Sequence, residues 1–127
     1  MSKGPFYILT LAAMAACATG GGNATNIHRD PNVINEQEIT ATNESNAYDV
    51  ITRLRPTFLK TRGRTTINSG GSEYASVFLD GQVYGELFSL KNIPAIQIHE
   101  IRYLSGNQAV TTYGMQYGSG VIDVRTK

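Results

Sequence analysis

The sequence of this 127-residue chain predicts one compact domain of α+β or β-rich class. An apolar fraction of 41% is enough for one modest core, and the length leaves no room for a second. Thirteen glycines and seven tyrosines, with no tryptophan, suit short strands joined by tight turns. One amphipathic segment and one strand-turn-strand pattern then predict a helix and a hairpin in the same domain.

The N-terminus has the anatomy of an export signal. Met1 to Lys3 carries one positive side chain, Phe6 to Ala16 is apolar except for Thr10, and Ala15 and Ala16 directly precede Cys17, the only cysteine. Eleven residues rise about 16 Å as a helix against about 30 Å of hydrocarbon, which is too short for a permanent span. We interpret residues 1–16 as a cleaved signal peptide.

The segment from Leu11 to Cys17 resembles the lipobox of bacterial lipoproteins, although Met14 stands where leucine is expected. The resemblance implies that Cys17 carries acyl chains, palmitate among them, and that Ala18 directs the protein to the outer membrane. Several chains give a stable anchor, since each buried CH₂ contributes about 0.8 kcal/mol. The alternative is an ordinary secretory signal cut after Ala16 or Ala18, which leaves a free thiol or none.

The mature chain is predicted to be a tether followed by a domain. Removing residues 1–16 takes Lys3 from the 11 basic residues and leaves 10 basic against 10 acidic groups, so no overall field would attract nucleic acid. Residues 17–32 include Gly20-Gly21-Gly22 and have no apolar period, which predicts a flexible tether. Residues 33–127 form the predicted domain.

The first half of that domain contains one well-marked helix. Val33 to Thr40 is predicted as a short strand. From Asn46, the predicted N-cap, apolar residues recur at intervals of three and four through Leu54. Pro56 should end or kink this helix, and Phe58 and Leu59 should then insert into the core.

The second half predicts strands. Ala75 to Leu79, Asp80-Gly81 and Gln82 to Tyr84 form a hairpin signal, because Asp-Gly supplies the positive φ values of a two-residue turn. An exposed turn is predicted before it, and four elements after it. These segments are the turn Ser69 to Ser72, a short helical or 3₁₀ connection from Leu87 to Ile96, a strand from Ile98 to Leu104, a helix from Asn107 to Tyr113 stopped by Gly114, and a last strand through Val121, Ile122 and Val124, entered by the turn Gly118-Ser119-Gly120.

No pattern of enzyme chemistry is present. His28 and His99 lie far apart with no metal-ligand spacing near them, so neither a metal nor another cofactor is expected. No nucleophile, base and orienting group occur together, so we expect a non-enzymatic protein.

A basic segment follows the helix. Arg53, Arg55, Lys60, Arg62 and Arg64 lie within twelve residues with no acid among them. They could form a site for anionic headgroups or an acidic partner, or they could be solvated cations at a helix C-terminus, where positive charge is favoured in any case. Nucleic acid fits poorly, because Phe58 is the only aromatic residue among them.

The order of motifs in the second half resembles the plug domain of TonB-dependent outer-membrane receptors. The residues are Ala75 to Gly81, Ile93-Pro94, Ile98 to Leu104, Tyr113-Gly114 and Gly120 to Lys127. The resemblance implies a small α+β domain with a mixed sheet of about four strands and two helices packed on it. Ser105 and Asn107 stand where the family has arginine and proline, and no TonB-contacting segment is identified.

The receptor's barrel is missing from this sequence. About 22 strands of roughly ten residues would need over about 200 residues more. We therefore expect a plug-like lipoprotein that works by protein contact, with an outer-membrane barrel or another envelope protein as its partner. Candidate contact residues are Asp80, Gly81, Met115, Tyr117, Arg53, Arg55, Arg62 and Arg64. The alternative is a small-ligand-binding module at the periplasmic face.

Overall fold

The computed structural model describes Gly4, residues 29–61 and residues 73–127. These residues form a five-stranded mixed sheet with helices packed on it, so the α+β class is confirmed and the sheet has one strand more than expected. The strands are β1 (Val33–Asn35), β2 (Ser76–Leu79), β3 (Gln82–Gly85), β4 (Ile98–Leu104) and β5 (Val121–Thr126). The α-helices are α1 (Glu36–Thr42), α2 (Ala47–Leu54) and α3 (Gly106–Tyr113), and 3₁₀ turns span Pro56–Leu59, Leu87–Asn92, Ala95–Gln97 and Met115–Tyr117.

The C-terminal strand lies at the centre of the sheet. The strand order is β1-β4-β5-β2-β3, with β2 and β5 parallel and the other pairs antiparallel. Because β5 has a neighbour on each side and packing on both faces, Val121, Ile122, Asp123 and Val124 are all buried. A strand that is packed on both faces usually consists of consecutive apolar residues. In β5, Asp123 is the exception to this pattern.

The predicted strand from Val33 to Thr40 is wrong beyond Asn35. The chain turns there into α1, because Asn35 is an N-cap: its side chain accepts from the Glu38 amide at 2.9 Å, and the Glu38 carboxylate accepts from the Asn35 amide at 3.3 Å. This reciprocal capping box satisfies two amides that a helix start leaves unpaired. Ile39, taken as a strand residue, is instead buried on α1.

The helix predicted after Asn46 is confirmed as α2. The Asn46 side chain accepts from the Asp49 amide at 3.0 Å, and the helix ends at Leu54, two residues before Pro56. The proline then begins a 3₁₀ turn that buries Phe58 against Tyr103, with ring centroids 4.8 Å apart. Apolar spacing, cap and proline therefore act together to place one helical face on the sheet.

The hairpin prediction is confirmed. Asp80 has φ of 51° and Gly81 φ of 83°, the left-handed values that a tight turn between β2 and β3 needs. Between the pairs Phe78–Val83 and Val77–Gly85, β3 contains one extra residue, Tyr84, which makes a bulge. The bulge therefore interrupts the regular pairing of β3, one of the two edge strands of the sheet.

The two faces of the sheet are covered to different extents. One face, which we call the covered face, packs Ile34, Val77, Ile101, Ile122 and Val124 against α1, α2 and the 3₁₀ turns in the main core. On the other side, the open face, a smaller cluster of Phe78, Ala109 and Val121 packs under α3 and the Met115–Tyr117 turn. Among the described residues, strand pairing places eleven side chains on the open face: Val33, Asn35, Ser76, Phe78, Val83, Glu100, Arg102, Leu104, Val121, Asp123 and Arg125.

Other predicted elements of the second half are also confirmed. Residues Leu87–Asn92 and Ala95–Gln97 form the 3₁₀ connection, and Gly114 caps the end of α3. The turn from Gly118 packs closely against the start of α3, where a Cβ at Gly106 would collide with the Gly118 carbonyl oxygen. The predicted turn Ser69 to Ser72 lies outside the described residues.

Candidate functional site

The structure brings two of the predicted contact surfaces together on the open face. The hairpin residue Phe78 packs against Tyr117 of the Met115–Tyr117 turn, with ring centroids 5.1 Å apart, and against Tyr113 of α3 at 4.2 Å. Val83 lies across from Phe78 in the β2–β3 pair. The hairpin and the turn, some thirty-five residues apart along the chain, therefore form one surface around an aromatic cluster.

Apolar side chains on this surface extend into solvent. Met115 is 85% exposed and Val83 is 61% exposed. Tyr117, by contrast, is half-buried through its contact with Phe78. A rigid aromatic base bordered by exposed apolar side chains is a common arrangement in protein contact surfaces.

Asp80 ties the hairpin to the end of β5. Its amide donates to the Val124 carbonyl oxygen at 2.9 Å, and its carboxylate accepts from the amide and hydroxyl of Thr126 at 2.9 and 2.7 Å. The hydrogen bond from the Thr126 amide, and to a smaller extent that from its hydroxyl, holds the pKa of Asp80 below its ordinary value. Asp80 thus stays ionised and fixes the position of the turn, while Gly81 supplies the conformation.

A set of alternating charges covers the rest of the open face. In β4, Arg102 contacts Glu100 at 3.0 Å, and in β5, Arg125 contacts Asp123 at 3.5 Å. The strand register places Arg102 opposite Asp123 and Glu100 opposite Arg125, so each charge also has an opposite charge across the strands. Cross-strand pairs of this kind contribute about 0.2–1 kcal/mol each, and exposed members contribute least.

Asp123 differs from the other three charges because it is buried. Asp123 is 3% exposed, and its Oδ1 has no hydrogen-bond partner within the part of the chain that the structure describes. Sequence reasoning missed this residue. The available signal was an acid in the middle of the apolar run from Val121 to Val124.

The basic segment is only partly described and lies away from the open face. Arg53 pairs with Glu44 at 2.9 Å, and half-buried Arg55 contacts Glu38 at 3.5 Å and the Pro31 carbonyl oxygen at 3.2 Å. These two arginines therefore connect α2 with α1 and with the chain before β1. Lys60 is exposed, and Arg62 and Arg64 lie outside the described residues.

The lipid-anchor residue and one histidine also lie outside the described residues, namely Cys17 and His28. His99 is described: its Nδ1 lies 3.2 Å from Glu36, which also pairs with Lys127 at 2.6 Å. Within residues 29–61 and 73–127, no three His, Cys, Asp or Glu side chains are grouped to hold a metal ion. The helices in those ranges are all too short or too polar to cross a membrane.

Comparison with protein-family models, with curated proteins and with solved structures finds no match for this chain.

Proposed function

We propose that this protein is a lipid-anchored lipoprotein of the bacterial envelope whose plug-like domain acts by protein contact through its open face. The anchor rests on the sequence of the first seventeen residues, in which a short apolar segment and two small residues precede Cys17. The tether that follows would let the domain stand off the outer membrane on its periplasmic side.

One observation carries the contact function: the hairpin and the Met115–Tyr117 turn share one partly uncovered face that bears exposed apolar side chains. A stable interface buries about 800 Å² on each partner and takes most of its energy from a few central residues, often aromatic. Phe78, Tyr113 and Tyr117 provide a rigid aromatic base for such a centre, with Val83 and Met115 available to the partner.

The contact is made through side chains rather than by adding a strand to the sheet. β3 is the edge strand on the hairpin side of the sheet, with β1 at the opposite edge, and the four residues of β3 carry neither a charge nor a proline. The bulge at Tyr84, however, interrupts its regular backbone pattern, and bulges are a common way to disfavour edge pairing. Two regular residues are too few to fix a new strand, so affinity must come from the apolar and charged side chains.

The anchor and the contact surface can be tested separately. For the anchor, metabolic labelling with a fatty acid should mark the wild-type protein and leave Cys17→Ser unlabelled. Equal labelling of the two proteins would contradict lipidation at this cysteine.

For the contact surface, a photo-crosslinking residue is placed at position 115 or 83 of the membrane-bound protein. The control is position 96, because Ile96 is 80% exposed and apolar but lies in the Ala95–Gln97 turn beside α1. We expect one discrete crosslinked species from positions 115 and 83 and none from position 96. Identical patterns from all three positions would show that the open face has no special role.

A further inference from the structure

A cavity of about 380 Å³ lies on the open face at the hairpin end of the sheet. The Asp80–Gly81 turn, Tyr113, Asp123 and Arg125 contribute to its walls. It contains space for a small organic group, and polar side chains from four different elements converge on it.

The carboxylate of Asp123 is the least satisfied group in this wall. Its side chain is 4% exposed, Oδ1 has no partner among the described residues, and Oδ2 meets Arg125 Nε at 3.5 Å. A charge-assisted hydrogen bond is much shorter, at about 2.7–2.9 Å. A buried carboxylate without close donors costs stability, so its presence in an apolar central strand points to a donor that comes from outside the domain.

The charges around the cavity favour a cationic donor. In the cavity wall, the carboxylates of Asp80 and Asp123 face the guanidinium of Arg125. Arg102 lies opposite Asp123 in the strand register, but its own ion pair is with Glu100, at 3.0 Å. The Arg125 side chain is 54% exposed, so it can turn toward water without leaving a buried charge behind. Each oxygen of Asp80 accepts one hydrogen bond from Thr126 and still has a lone pair for another donor.

His99 and Tyr113 complete the wall. The Nδ1 of His99 lies 3.2 Å from a carboxylate oxygen of Glu36, an acid outside the cavity. Tyr113 packs its ring on Phe78, and burial raises the pKa of its hydroxyl, with a further contribution from Asp123. Tyr113 therefore stays neutral and offers an aromatic ring beside the carboxylates, a combination that suits an organic cation.

We infer that this cavity binds a primary ammonium group, with Asp123 as its buried counter-ion and Asp80 as the second acceptor. The ammonium has three donors, which two carboxylates and the Tyr113 oxygen can accept. A metal ion is a poorer fit, because the described residues contain no group of three ligands for one. The inference depends neither on the lipid anchor nor on the apolar contact surface.

The same chemistry can come from a free amine or from a lysine side chain of a partner protein. The test uses the full ¹⁵N-labelled chain in detergent micelles at pH 7, with three probes: butylammonium, N-acetyl-lysine methylamide and neutral butanol. The readout is the amide shift of Thr126, which donates to Asp80. For ligands of this size we expect a Kd in about the millimolar range.

Both amines should give saturable shifts, and butanol should give none. Preference for the blocked lysine identifies a partner's side chain as the source, whereas binding of butylammonium alone identifies a small amine. Absence of saturation with both amines, or an equal response to butanol, overturns the proposal.

Two substitutions show whether Asp123 is responsible. Asp123→Asn keeps the shape and should weaken amine binding at least about tenfold, because the buried charge is lost. Glu44→Gln is the matched control, since this acid pairs with Arg53 away from the cavity, and it should leave Kd unchanged.

Arg125→Gln separates an amine site from an ordinary ion pair. Removal of the competing guanidinium should leave amine binding as tight or tighter. Loss of amine binding in Arg125→Gln, or equal binding in Asp123→Asn and wild type, contradicts the assignment. Because the Arg125 side chain is half-exposed, Arg125→Gln changes no buried residue and should fold like the wild type.

Discussion

The covered and open faces of one sheet differ in what their side chains do for the fold. On the covered face, strand residues such as Ile101 and Ile122 are fully buried under helices. On the open face, charged residues occupy equivalent strand positions, and one of them, Asp123, is buried without adequate partners. The covered face therefore supplies most of the buried apolar packing of the described residues, whereas the open face retains charged groups that packing alone does not require.

The largest expected effect tests this division directly. Ile122→Ala removes a fully buried side chain from the centre of the covered face and should lower the free energy of unfolding by about 2–5 kcal/mol. Met115→Ala on the open face should change it by about 0.5 kcal/mol or less, since that side chain is 85% exposed. Urea denaturation measures both, and similar losses would remove the distinction between the faces.

The next effect has the opposite sign. Asp123→Val replaces a buried acid by an apolar side chain of similar size in a central strand. We expect the free energy of unfolding to rise by about 1–3 kcal/mol, because an unsatisfied buried acceptor is removed and Arg125 is left half-exposed rather than buried. Denaturation at pH 7 measures it. A clear loss of stability would mean that Asp123 serves the fold.

A smaller effect concerns the hairpin turn. Gly81→Ala introduces a side chain at φ of 83° and should cost about 1 kcal/mol. The matched control is Gly118→Ala, where φ is −60° and the nearest atom to a new Cβ is 3.8 Å away, so that variant should be neutral or slightly stabilising. Equal effects at the two glycines in thermal unfolding would contradict the role given to the turn conformation.

The smallest effect depends on pH. Hydrogen bonds from Lys127 and then His99 lower the pKa of Glu36 below its ordinary 4.5. The stability that ionised Glu36 gains from Lys127 and His99 is therefore fully present above pH 4.5. It is lost as pH falls through the lower pKa of Glu36 in the folded protein. Glu36→Gln should lower Tm slightly at pH 7 and progressively less as pH falls below 4.5, and Lys127→Gln should behave alike. A Tm difference that does not change with pH over this range would exclude the linkage.

Local signals explain which parts of the fold could be predicted from the sequence. The α2 cap at Asn46 and the Asp80-Gly81 turn depend on a few adjacent residues, and both were predicted correctly. The start of α1 was missed although Asn35 and Glu38 have capping-box spacing, because two apolar residues beside them suggested a strand.

Non-local pairing explains what could not be predicted. The parallel pairing of β5 with β2 joins strands that are far apart in sequence, so the central position of β5 was not visible from local pattern. The same pairing makes Asp123 a buried residue and places the hairpin beside the Met115–Tyr117 turn. The candidate site thus emerges only when the sheet is assembled, even though two of its parts had been proposed separately.

The most direct test of the central claim is recovery of a partner from detergent-solubilised envelopes with surface charge substitutions. Met115→Asp and Val83→Asp place a charge on the open face, and Ile96→Asp places one at a similarly exposed apolar site beside α1. We predict that wild type and Ile96→Asp recover the same partner in stoichiometric amount and that the two open-face variants do not. Undiminished recovery by Met115→Asp and Val83→Asp would contradict the claim that this protein acts through its open face.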